Sequence, residues 1–268
     1  MATRRSTLLG LTAAATAVVA LLFSSASRAE DLIKIAVTNG PHAQIAEVAK
    51  KVAARDGLTL QIVEFSDYVQ PNAALDAGDV QANSYQHLHF LRSQIQARGY
   101  QLSAVGVTVT APLGFYSKRI RRLDQLATGA RVAIPNDPTN SGRALQLLHK
   151  AGVLRLKPGA GISATTLDIA ENPRKLQIVQ VDAAQLPRTL DDVDASAINT
   201  NYAVQAGLVP KRDAIAIEDA KSPYANLIVV RTQDKDRPWV PKLVRAFQSP
   251  EVRQFVAERF ADSLVAAF

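Results

Sequence analysis

Two hydrophobic periods alternate along this chain and divide it into strands and helices. Residues Ile33 to Thr38 form a β-branched apolar run that stops at Asn39-Gly40-Pro41. Apolar residues then recur at Ile45, Val48, Ala49 and Val52, the three-and-four spacing of one helix face. Leu58 to Phe65 predicts a second strand between Gly57 and Ser66-Asp67, with a short helix near Val69 to Leu75 ending before Gly78. The same grammar restarts at Arg131 to Pro135, a strand followed by the polar stretch Asn136 to Gly142 and a helix from Arg143 to about Lys150. Further strands are expected at Leu176 to Val181, Ala195 to Asn199, Ala214 to Ile217 and Asn226 to Arg231, with helices after Ala183 and after Asn201. Two helices, about Val240 to Phe247 and Glu251 to Leu264, close the chain. Alternating strands and helices predict an α/β fold with a parallel or mixed sheet, organised as two similar modules. No Gly/Ser-rich linker separates them, so they are expected to share crossovers and to enclose a cleft.

The N-terminus changes that picture. Arg4 and Arg5 precede an apolar stretch from Leu8 to Phe23 and small residues from Ser24 to Ala29, the layout of a secretory signal peptide cut after Ala29. Thr3 to Leu9 also loosely resembles a twin-arginine export signal. Cysteine is absent, which excludes disulfides, thiol nucleophiles, thiolate metal sites and a lipid-modified N-terminal cysteine. The 268 residues and 47% apolar content suffice for a core without staples. The formal charge is +7; removing three of the 31 basic residues with the leader, against 24 acids, leaves +4. Basic and acidic residues are interleaved, which argues against a nucleic-acid partner.

Three segments carry candidate chemistry. Pro135 to Arg143 joins a buried strand to a helix, where free backbone N–H groups and the guanidinium of Arg143 suit a carboxylate. Asn140 or Ser141 as a plain N-cap is the competing reading. The second segment runs from Asn83 to Phe90 and contains Tyr85, His87 and Phe90, with Tyr68 upstream. Aromatic rings with polar tips suit a ligand that has an apolar side chain, although such stripes also build cores. His87 and His89 share a face only on a strand, and no carboxylate lies close in sequence, so no metal is expected. The third segment comprises Asn199 and Asn201 after one strand and Asn226 at the start of another. Asparagine offers both donor and acceptor to a zwitterion, but it is also a common turn former.

No nucleophile elbow, phosphate loop or zinc-protease motif is present, and Gly159-Ala160-Gly161 lacks the third glycine and preceding strand of a dinucleotide site. Neither an enzymatic activity nor a cofactor is expected. An enzyme on the same scaffold, or a metal carrier using His42, His87 and His89, are the rival classes.

These residues closely resemble the methionine-binding proteins of methionine ABC importers, the NlpA lipoprotein family. The likeness covers essentially all of the chain after the leader. It includes Asp67-Tyr68-Val69, Gln86-His87, Val132 to Asn140 with Gly142-Arg143, Glu171-Asn172-Pro173, Gln185 to Arg188 and Ser222-Pro223-Tyr224 with Asn226-Leu227. The resemblance implies a type II periplasmic-binding-protein fold: signal peptide 1–29, lobe 1 over 30–113 and 224–268, and lobe 2 over 114–223. It implies an amino acid ligand, methionine or similar, and delivery to an ABC permease in the inner membrane by a periplasmic monomer. Arg143 would clamp the ligand carboxylate. Asn201 and Asn226 would bond the carboxylate and amino groups, with Asn199 as the substitute for Asn201. Tyr68, Tyr85, His87 and Phe90 would wall the side-chain pocket. Some relatives have Phe in place of Tyr85 and Tyr in place of Phe90.

Overall fold

From Ile35 to Thr38, strand β1 (Asp31–Thr38) is buried on both faces because its two residue parities meet different layers. Ile33, Ile35 and Val37 pack with Ile45, Ala46 and Ala49 of helix α1 (Pro41–Arg55), while Ala36 meets Leu75, Leu91 and Val229 on the opposite side. The period of two along a strand produces this division. A computed structural model describes residues 31–219, 222–260 and 263–268. The predicted leader lies outside them.

Two sheets organise the chain. The larger has the order β13-β4-β12-β3-β1-β2, with β2 at Leu58–Phe65, β3 at Ala82–Ser84, β4 at Leu102–Thr110, β12 at Ala225–Arg231 and β13 at Val265–Ala266. Strands β1 and β3 run parallel, whereas β12 is antiparallel to both β3 and β4. The second sheet has the order β11-β5-β10-β6-β9. Its strands are β5 (Gly114–Tyr116), β6 (Arg131–Pro135), β9 (Gln177–Val181), β10 (Ala195–Ile198) and β11 (Ala216–Ile217). Here β10, β6 and β9 are parallel, and β5 is antiparallel to β10 and β11. A two-stranded ribbon, β7 (Arg155–Leu156) with β8 (Ile169–Glu171), is separate.

Helices cover both sheets. On the first lie α1, α2 (Gln70–Ala77), α3 (Leu88–Arg98), α6 (Trp239–Phe247) and α7 (Pro250–Phe260). On the second, α4 (Pro138–Lys150) packs Ala144, Leu145 and Leu148 against Val132 and Ile134. The opposite face holds Leu186 and Leu190 of a 3-10 segment (Ala183–Asp191), with Tyr202 of the short helix α5 (Thr200–Gln205). Among the described residues no helix is long and apolar enough to cross a membrane.

Three expectations need correction. Helix α4 begins at Pro138, five residues ahead of the predicted start, so Asn140 lies inside a helix and not on a loop, and Arg143 sits one turn deeper than expected. Asp137 is its N-cap, accepting from the Asn140 N–H at 2.9 Å, and Pro138 fills the first position, where its missing N–H goes unneeded. The last helix stops at Phe260, and Val265 then pairs with Thr110 as an edge strand. Strand β4 and helix α3 were not anticipated.

Gly142 has a steric reason: a Cβ there would sit 2.2 Å from the Ile162 carbonyl oxygen. That close approach seats the 157–164 loop on α4, where Gln146 Nε2 donates to the carbonyls of Ala160 and Gly161.

Candidate functional site

Parallel strands leave their carboxyl ends, and the helix starts that follow, on one side of a sheet, and this is where open α/β folds bind ligands. In this chain four such ends converge. After β1 comes His42, after β3 come Tyr85, Gln86 and His87, after β6 come Asn140 and Arg143, and after β10 come Asn199, Thr200 and Asn201. Tyr68, Phe90, Ala111 and Asn226 complete the lining of one cavity. All eight residues singled out from the sequence line it. His42, Gln86, Ala111, Asn140 and Thr200 are additional. His42 and Asn140 occupy equivalent places in their modules, each in the first turn of a helix that follows a buried strand, and this repeat was a usable signal.

Asn140 is the hub of the polar end. Its Oδ1 accepts from Arg143 Nη1 at 3.0 Å, from Asn199 Nδ2 at 3.0 Å and from His87 Nε2 at 3.4 Å, while its Nδ2 donates to Asp137 Oδ2 at 2.9 Å. His87 caps α3: its Nδ1 accepts the Phe90 N–H at 3.1 Å, so Nε2 carries the proton. Burial holds His87 well below its ordinary pKa, and the Arg143 charge adds to the effect. Burial alone lowers His42 to about 4. His42 Nε2 lies 3.3 Å from Asn226 Nδ2, which fixes it as the acceptor. Both imidazoles are therefore neutral hydrogen-bonding groups. Among the described residues no three His, Asp or Glu side chains are placed to hold a metal ion.

Arg143 is not a free fork. Its Nε and Nη2 donate to Glu218 at 3.0 and 2.5 Å, Nη2 also reaches the Ala111 carbonyl at 3.1 Å, and Tyr224 covers its face at 4.1 Å from the ring centroid. With the Asn140 bond, four of the five N–H donors are used, so one Nη1–H is left for a ligand. The Nε and Nη2 edge of Arg143 is thus occupied by an internal carboxylate. Two polar atoms on lining side chains have no partner, Asn199 Oδ1 and Asn201 Nδ2. Both residues are over nine-tenths buried, where an unmet hydrogen bond costs about 1–3 kcal/mol.

The opposite end is aromatic. Tyr68 contacts Tyr85, Phe90 and Tyr202 at centroid distances of 5.9, 6.0 and 5.0 Å. The Tyr85 hydroxyl donates to the Tyr68 carbonyl at 2.9 Å and the Tyr68 hydroxyl to Asn201 Oδ1 at 2.5 Å. Burial raises both phenols well above their usual range. Further bonds join the halves: Tyr202 donates to the Ser66 carbonyl at 3.1 Å and Gln205 Nε2 to the Asn39 carbonyl at 2.8 Å. Gly40 admits that last contact, since a Cβ there would lie 2.7 Å from Gln205 Cγ.

The NlpA lipoprotein profile matches residues 33–268. The chain belongs to the NlpA lipoprotein family. Among NlpA-type relatives, the D-methionine-binding lipoprotein MetQ of Escherichia coli (strain K12) is 52% identical over 223 residues, 82% of each chain. The probable D-methionine-binding lipoprotein MetQ of Vibrio cholerae is 46% identical over 258 residues, 95% of this chain and 96% of the relative. A nutrient-binding protein from Burkholderia cenocepacia, solved bound to methionine, superposes with a TM-score of 0.86 at 55% identity. The match covers 88% of this chain and all (100%) of that one. The crystal structure of the methionine-binding protein MetQ gives 0.86 at 49% identity, covering 88% and 98%. The fold of this NlpA family member is therefore the two-lobed binding-protein fold, and its relatives are binding proteins by name. They are also named lipoproteins, so the expectation of a chain without lipid is not borne out by them.

Proposed function

We propose that this chain is the solute-binding component of an ABC importer, capturing methionine, L or D, or a closely related small amino acid. The carrying observation is the pair of unmet buried atoms, Asn199 Oδ1 and Asn201 Nδ2, in a cavity that Arg143 also lines. One is an acceptor and one a donor, which is what the ammonium and carboxylate of an amino acid require. Burying such a zwitterion is tolerable only when both charges are met. In this reading the free Nη1–H of Arg143 and the Asn201 amide hold the carboxylate. Asn199 and Asn226 orient the ammonium. Tyr68, Tyr85, His87 and Phe90 pack the side chain, whose sulfur suits aromatic edges. Relatives of about half identical sequence are named for methionine, which supports this choice.

The same reading makes the protein an exported, periplasmic, non-catalytic monomer that docks on an inner-membrane permease. It divides the chain into lobe 1 (30–113 and 224–268) and lobe 2 (114–223), consistent with sheet membership switching before β5 and back at β12. Titration calorimetry on unfolded and refolded, ligand-free protein tests the proposal. One equivalent of methionine should bind with no turnover. Absence of binding by either enantiomer, or steady conversion of the added amino acid, overturns it.

A further inference from the structure

Arg143 is the one formally charged side chain among the residues that line the cavity. Directly behind it, Glu218 follows β11 with its side chain only 10% exposed. Its Oε1 and Oε2 take the Nε and Nη2 edge of the guanidinium, and Oε2 also accepts the Leu113 N–H at 2.9 Å. A buried pair of this kind adds little net stability, because desolvation offsets the attraction. It does set the charge of the enclosed site. His42 and His87 are neutral, and Asp137 is one hydrogen bond further back, behind Asn140, at the positive N-terminus of α4. Arg143 and Glu218 together therefore present a site of zero net charge.

We infer that Glu218 is a specificity-determining residue that makes the site select net-neutral zwitterions over carboxylates lacking an ammonium group. This rests on the amino-acid reading above and goes beyond it. A zwitterion brings no net charge into the closed cavity, so its two ends can each be matched locally. A lone carboxylate leaves the cavity with one uncompensated negative charge next to Glu218, and removing that charge from water is strongly unfavourable. Without Glu218 the same cavity would carry the single positive charge of Arg143 and would welcome the lone carboxylate. Glu218 also fixes which edge of Arg143 remains available, so it acts on the ligand through Arg143 and not by contact.

Calorimetric titration of wild type, Glu218→Gln and Glu218→Asp with methionine and with 4-(methylthio)butanoate, the same skeleton without its amine, tests this. Wild type and Glu218→Asp should prefer methionine strongly. In Glu218→Gln the preference should shrink by about tenfold or more, with part of the change coming from tighter binding of the amine-less acid. Should the amide variant fail to fold, Glu218→Ala carries the same comparison. An unchanged ratio, or equal weakening of both ligands, overturns the inference, because a purely structural Glu218 would move both together. Failure of the wild type to take methionine would instead sink the proposed function.

Discussion

Around Asn140 the cavity wall is held by directional hydrogen bonds, whereas around Tyr68 it is held by rings packed 5.0–6.0 Å apart. The first arrangement has no slack. Nearly every donor and acceptor is matched inside the protein, and the few that are not define where a ligand's charges must lie. The second has no such demand, since its two phenol hydroxyls donate to a backbone carbonyl and to Asn201, so the rings offer apolar surface. In the reading proposed above, such a cavity would read the head of an amino acid strictly and its side chain by size and polarity.

The strongest way to break this contrast is Arg143→Ala. It should abolish measurable methionine binding, and by leaving the Glu218 carboxylate buried and unpaired it should lower stability by about 3–5 kcal/mol in urea unfolding. A loss of binding with no loss of stability would mean that the pair is not held as described. Next comes Asn199→Leu, which removes an unmet acceptor and one bond to Asn140; affinity should fall about 10- to 100-fold, the worth of a hydrogen bond to a charged group.

Acid separates the two ends by chemistry. The unfolded chain protonates His42 below about 6.5, while the folded chain does so only near 4. The unfolded state thus binds more protons in this window, and stability falls as pH drops through it. His42 alone should remove about 2 kcal/mol between pH 7 and pH 5, and His42→Gln should flatten that part of the unfolding profile. The phenols of Tyr68 and Tyr85, raised above their usual range, do not titrate there. The smallest effect belongs to Tyr85→Phe, which deletes only the bond to the Tyr68 carbonyl. Affinity should change by less than about threefold, within 1 kcal/mol. A collapse would place that hydroxyl on the ligand and erase the contrast between the ends.

Much of this was legible beforehand. Strand β2 and β6 boundaries follow directly from apolar runs ended by glycine, serine or Asn-Asp. The start of α4 was misplaced because Asp137-Pro138 read as part of a turn, although the same pair is a cap followed by a first-turn proline. Strand β4 escaped because Ser103, Gly106 and two threonines weaken its period, and its burial comes from pairing with β12, more than 110 residues away in sequence. The eight predicted residues that line the cavity were reached through resemblance joined to chemistry. Glu218 was not, since a lone acid after a two-residue strand signals nothing until the fold sets it against Arg143.

The seating of β12 between β4 and β3 bears on how the protein is born. The inner strands of one sheet are complete once residue 198 has emerged, so that module can begin to condense early. The other stays split into two fragments until residues 225–231 arrive and zip them together. Its nucleation is therefore a late, long-range event.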